Sequence, residues 1–193
     1  MKIGLYFGTF NPIHIGHMAI ANYMVEFTGI RQLWFIVSPQ NPFKEEKSLL
    51  KDYHRLEMVN LAIEGDDRFR ASGIEFKLPR PSYTINTLVY LHDAHPDHEF
   101  YLLMGSDNLK HFHKWKNADL ILENNHILVY PRPGEQPQPA APPHPHIHIV
   151  EAPLMEISAS FIRQAIADGK NVSYFIPPKV WEYLQEMNFY RNL

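Results

Sequence analysis

His14 and His17 stand three residues apart in the stretch GTFNPIHIGH, residues 8–17. At helix spacing they project from the same side of a first turn. Two imidazoles beside the free N–H groups and positive dipole end of a helix start suit a polyphosphate, because they donate to non-bridging oxygens and can offset a developing negative charge. Gly8 permits close backbone approach, Thr9 and Asn11 can serve turn and cap groups, and Pro12 shapes the helix start. Gly16 leaves room for a ligand lying across the helix. Either histidine alone reads as a helix-start residue packed under a loop; two His, two Gly and a Pro at one junction favour phosphate. Far downstream, ISASFIR at residues 157–163 sets the hydroxyls of Ser158 and Ser160 at a second helix start, with Arg163 about one turn in. Main-chain N–H, hydroxyl and guanidinium can bind phosphate together there. Neither the GxxxxGK loop nor the GxGxxG turn is present.

These residues need a scaffold that brings a strand end and two helix starts together. Apolar runs rich in β-branched and aromatic residues at 2–7, 32–38, 98–104, 126–130 and 147–150 predict buried strands. Helix-period segments fall at about 14–27, 53–64 and 84–91, as a broken pair over 107–122, at 158–167 with Phe161, Ile162, Ala165 and Ile166 as its apolar side, and from about Pro177 onward. Gly169 and Pro177 or Pro178 supply a stop and a start. Strand and helix in alternation predict an α/β fold, a Rossmann-like doubly wound parallel sheet with helices on both faces and C-terminal helices completing one domain. In such a sheet a strand-to-helix turn lies at the carboxyl edge, where ligands bind.

The 193 residues fit a single domain spanning 1–193. A composition 45% apolar and 20% charged is that of a soluble globular protein. The absence of cysteine excludes disulfides, thiolate metal sites and a Cys nucleophile. A net charge of -3 provides no broad positive field for nucleic acid or an anionic membrane, so any anion site is local. No segment approaches the roughly 20 apolar residues of a membrane span, and no leader is evident, so a cytoplasmic protein is expected. Residues 132–145, with six of the 16 prolines, read as an exposed irregular excursion whose role the sequence does not give. His144, His146 and His148 alternate as a metal-binding face would, but strand alternation on a solvent-facing edge produces the same spacing.

The first stretch resembles the GxFxPxHxGH signature of the nucleotidylyltransferase superfamily, matched by Gly8, Phe10, Pro12, His14, Gly16 and His17. Residues 157–163 resemble its ISxTxIR segment through Ile157, Ser158, Ile162 and Arg163, with Ser160 in place of Thr. Pro81, Ser82, Tyr83 and Thr84, followed by Thr87 and Leu88, are similar to the SYT-x2-TL segment of nicotinate-nucleotide adenylyltransferases. Gly105, Ser106 and Asp107 look like that family's Gly-x-Asp step, Trp115 like its ring-stacking aromatic, and Asn41, Pro42 and Lys44 like its basic loop. Two positions depart from the pattern. Asn11 stands where Asp is frequent, which removes a charge and argues against a metal role there, and Lys116 follows Trp115 where some relatives carry an aromatic residue.

The resemblance implies transfer of the adenylyl group of ATP to nicotinate mononucleotide, with Mg2+ on the triphosphate and no metal held by protein alone. His14 and His17 would hold the α and β phosphates; Lys44, Ser158 and Arg163 would grip the β and γ end. The backbone of Gly8, Thr9 and Phe10, together with Gly105 and Ile157, would line the nucleotide, and Asp107 would hold a ribose. Trp115 would stack on the acceptor ring, with Thr84 and the Tyr83 backbone at its carboxylate. Open alternatives are a superfamily transferase with a phosphopantetheine or nicotinamide-mononucleotide acceptor or a cytidylyl donor, and a non-catalytic nucleotide-binding module. The oligomeric state is not legible.

Overall fold

A computed structural model describes residues 1–39, 48–134 and 144–191. The β-branched and aromatic runs form β1 (Lys2–Gly8), β2 (Gln32–Val37), β4 (Glu99–Gly105), β5 (His126–Tyr130) and β6 (Ile147–Ile149), and β3 (Phe69–Ser72) joins them. All pair in parallel, in the order β3-β2-β1-β4-β5-β6. The helices are α1 (Ile15–Phe27), α2 (Asp52–Ile63), α3 (Thr84–Ala94), α4 (Ser106–Leu109), α5 (Ala118–Asn124), α6 (Ala159–Ala167) and α7 (Pro178–Glu186).

Side chains alternate across a strand, so each apolar run serves two cores. Ile3, Leu5, Trp34, Ile36, Leu102 and Met104 pack with Leu88 and Leu91 of α3 and Ile121 of α5. Leu33, Phe35, Leu103 and Leu128 pack on the other face with Ile20 and Met24 of α1, Met58 of α2, Ile162 of α6 and Leu184 of α7. Each buried aliphatic or phenyl side chain contributes roughly 1.5–3 kcal/mol. The right-handed rule for parallel crossovers then dictates the winding. From β1 the chain steps outward through α1 and α2, then returns through α3 on the opposite face to β4, on β1's other side. The carboxyl ends of β1 and β4 therefore flank the point where the winding reverses, the place for a ligand crevice.

The expected doubly wound sheet is present, with three local corrections. β3 was not anticipated because Arg70 interrupts its short apolar run at the sheet edge. β6 is an edge strand with His148 and Ile149 exposed, not a buried one. Phe161, expected on the apolar side of α6, is half exposed and stands edge-on to Phe175. Gly169 ends α6 as expected: at φ +70 it lets Lys170 N–H reach Ala165 O (2.8 Å) and its own N–H reach Ile166 O (3.0 Å). Pro178 opens α7.

Of the proline-rich segment, 135–143 lie outside the described residues. His146 Nδ1 lies 2.5 Å from Leu122 O, and His148 Nε2 lies 3.1 Å from His126 Nδ1. Among the described residues no helix is long and apolar enough to cross a membrane.

Candidate active site

β1 delivers the chain at Gly8 into a turn that must reverse within a few residues before α1. Phe10 makes the reversal with φ +46, a left-handed conformation costing a non-glycine residue of order 1–3 kcal/mol. Packing holds it there. The Phe10 ring is 2% exposed, edge-on to Tyr6, Phe35 and His17, and folds back over Gly8, where a Cβ would lie 2.9 Å from it. The close approach permitted by Gly8 is thus made by the chain's own phenyl ring. Beneath the turn, fully buried Arg55 of α2 donates to the carbonyls of Thr9 (2.6 Å), Ser38 (2.7 Å) and Leu50 (2.9 Å) and pairs with Asp52 (2.6 Å). In the sequence Arg55 reads as an ordinary helical charge; no local signal marks it.

His14 is the N-cap residue of α1, so Thr9 and Asn11 do not serve as its caps. The His17 ring stacks on the His14 ring at 3.7 Å. His17 Nδ1 accepts the His14 main-chain N–H at 3.3 Å, which leaves the ring proton of neutral His17 on Nε2. His14 is buried and, among the described residues, its Nδ1 has no hydrogen-bond partner. Burial lowers both imidazole pKa values, His14's to about 4; the Arg132 guanidinium adds to this in both, and His14 also depresses His17. The free site therefore presents neutral rings. Gly16 is corrected: a Cβ there would lie 3.1 Å from the His14 ring and 3.6 Å from Ile157 Cβ, so the space serves His14 and Ile157 rather than a ligand.

That contact already joins the two signatures. Ser158 caps α6 by accepting Phe161 N–H at 3.2 Å, leaving its hydroxyl proton for another acceptor. Arg163 Nη1 donates to Asn11 O at 2.8 Å, and Nη2 reaches Ser160 Oγ at 3.4 Å. Arg163 and the histidines thus meet at one turn.

At the end of β4, Gly105 clears space for Asp107: a Cβ there would lie 2.4 Å from Oδ1. That oxygen is buried and, among the described residues, without a hydrogen-bond partner, with Arg132 Nε at 3.7 Å. Arg132 N donates to Ser106 Oγ at 3.0 Å. Arg132, first residue of the proline-rich segment to which the sequence assigned no role, therefore lies at the candidate site; its place just beyond β5, at the carboxyl rim, was the available signal.

On the other flank, Tyr83 precedes α3 and Thr84 is its first residue. Lys116 Nζ stands 4.3 Å from the centre of the Tyr83 ring, and neighbouring Trp115 packs against Phe112. Thr87 instead faces the interior, donating to buried Glu75 Oε1 at 2.8 Å. Asn41, Pro42 and Lys44 lie outside the described residues.

A doubly wound sheet with paired imidazoles, an arginine and a helix start at its reversal point is the arrangement of a nucleotidyl-transferring protein. The cytidylyltransferase-like family matches residues 5–165. A protein named "Probable nicotinate-nucleotide adenylyltransferase" from Flavobacterium johnsoniae is 54% identical over 100% of both chains. One of the same name from Bacteroides fragilis is 50% identical over 94% of this chain and 90% of that one. In fold, the chain matches Plasmodium falciparum nicotinic acid mononucleotide adenylyltransferase complexed with NaAD, with a TM-score of 0.81 at 20% identity, over 98% of this chain and 97% of that one. The chain belongs to the nicotinate-nucleotide adenylyltransferase family.

Proposed function

We propose that this enzyme transfers the adenylyl group of ATP to nicotinate mononucleotide, releasing pyrophosphate and giving nicotinate adenine dinucleotide, a step of NAD biosynthesis. The observation that carries the reading is Arg163 Nη1 on Asn11 O at 2.8 Å, which joins the two distant phosphate signatures at one turn. The acceptor's phosphate is ionised near neutral pH, so it attacks the α-phosphorus in line without a general base. One phosphorus–oxygen bond forms as the bond to the β-phosphate breaks, with no covalent enzyme intermediate. Catalysis is alignment and charge neutralisation.

His17 donates from Nε2 and His14 from its ring to oxygens at the α and β phosphates. Arg163 and Ser158, with Lys44, grip the leaving end, and Arg132 adds a cation on the β5 side. The main chain of Gly8, Thr9 and Phe10 lines the nucleotide, with Gly105 and Ile157 beside it, and Asp107 Oδ1, without a hydrogen bond among the described residues, suits a ribose hydroxyl. Mg2+ would be carried on the triphosphate's own oxygens and water, the ligands this hard cation prefers. Bound there, Mg2+ would spread the phosphate charge.

Trp115 offers a stacking face, and the α3 start at Tyr83 and Thr84, with Lys116 alongside, offers donors and positive charge to a carboxylate. An amide there would set donor against donor. Assayed by pyrophosphate release with ATP and Mg2+, kcat/KM for nicotinate mononucleotide should exceed that for the nicotinamide form by at least about tenfold. Equal values would refute the acceptor assignment, and turnover with phosphopantetheine alone would move the chain to the neighbouring transferase class. The substrates are small molecules, and a cysteine-free chain using them fits the cytoplasm.

A further inference from the structure

Asn11 is 2% exposed and departs from the frequent Asp, and each of its side-chain polar atoms is engaged. Oδ1 accepts from Leu50 N–H at 3.2 Å and from the Tyr190 hydroxyl at 2.5 Å; Nδ2 donates to Ser48 O at 2.9 Å. Leu50 N–H can only donate and Ser48 O can only accept, so the amide's orientation is dictated, and a carboxylate would leave Ser48 O without its donor. The main-chain oxygen of the same residue carries Arg163. Among the described residues Arg163 has no carboxylate partner, so this carbonyl is the anchor that orients it.

Tyr190 comes from beyond α7, 179 residues away in sequence. It sits at φ +62 and 5% exposed, and burial raises its hydroxyl pKa, so the proton of the bond stays in place. A buried, strained tyrosine whose one polar atom meets the phosphate turn serves more than packing.

We propose that Tyr190 is a positioning residue for adenylyl transfer: through Asn11 it fixes the carbonyl that aims Arg163 at the triphosphate. The inference rests on the function proposed above. It assigns the C-terminal segment a part in the reaction that neither signature contains. Misplacement by about 1 Å can cost 10²-fold in rate, so a partial loosening should cost about tenfold.

The test is a double-mutant cycle of wild type, Tyr190→Phe, Arg163→Ala and the double variant, because residues acting through one another give non-additive effects. Tyr190→Phe keeps the buried ring, and circular dichroism with thermal melts of all four proteins checks the fold. Tyr190→Phe is expected to lower kcat about tenfold, with KM for nicotinate mononucleotide nearly unchanged. In the Arg163→Ala background the same substitution should have almost no effect. Unchanged kcat in Tyr190→Phe, or an equal fall in both backgrounds, overturns the proposal, since a general structural role does not depend on Arg163. If wild type itself releases no pyrophosphate, the adenylyl-transfer reading fails instead. The cycle is then read in ATP dissociation constants by calorimetry, where non-additive weakening supports the coupling and additive or absent weakening refutes it.

Discussion

His17 receives the His14 N–H on Nδ1 and stacks on the His14 ring, so its orientation and tautomer are set before substrate arrives. Such preorganised donors act where charge develops in the transition state, and losing one typically costs about 10²–10³ in kcat. His17→Ala should show a fall of that order in pyrophosphate release, with an unaltered circular dichroism spectrum; an unchanged turnover number would remove His17 from the machinery. Asp107 and Arg132 form a long ion pair, with Oδ1 buried 3.7 Å from Nε and, among the described residues, without a hydrogen bond. That leaves hydrogen-bonding capacity for a substrate hydroxyl.

At the scale of elements, the strained turn after β1 is held from below by α2 and from the side by α6. Arg55 is the pin from below: its guanidinium is the buried donor to three carbonyls belonging to the turn, the end of β2 and the approach to α2. Arg55→Ala strips those carbonyls of their donor and leaves Asp52 only its contact with the exposed Arg80 (3.1 Å), a loss of about 3–5 kcal/mol in the range seen for broken buried ion pairs. Urea unfolding should show it. Arg55→Lys should not rescue it, because an ammonium cannot reproduce the planar fork. Full recovery with Lys would mean that charge, rather than geometry, holds the turn.

For the whole molecule, the buried histidines tie stability to pH. In the unfolded chain His14 takes up a proton near its ordinary value of 6.5, whereas in the folded protein it does so only at about 4. Between those values the unfolded state binds more protons, so stability rises with pH. His14's contribution is complete above about pH 6.5 and is lost as pH falls toward about 4. Glu75 works in the opposite sense, since burial raises its pKa and protonation favours the folded state. The melting temperature of wild type compared with His14→Asn isolates the histidine: the wild type should lose more stability between pH 7 and 5 than the variant. Parallel profiles would place the His14 ring in contact with water.

Much was legible in one dimension because its causes are local. Apolar runs and helix-period segments follow from backbone geometry, so five of the six strands and the alternation of layers could be read directly, while Arg70 hid β3. The paired histidines and the capping Ser158 were visible because residue type and spacing carry their chemistry. What remained hidden depends on partners remote along the chain. Arg55 looks like a solvated helix charge until the turn folds over it, and Arg132 like linker until β5 carries it to the rim. Gly16 looks like room for a ligand until His14 and Ile157 occupy that space. Asn11 and Tyr190 meet only because the reversal at β1 and β4 gathers the phosphate turn, α6 and the segment after α7 in one place. Periodicity records which face of an element is apolar; it holds no information about which distant donor will satisfy a buried acceptor, because closure of the whole chain sets that pairing.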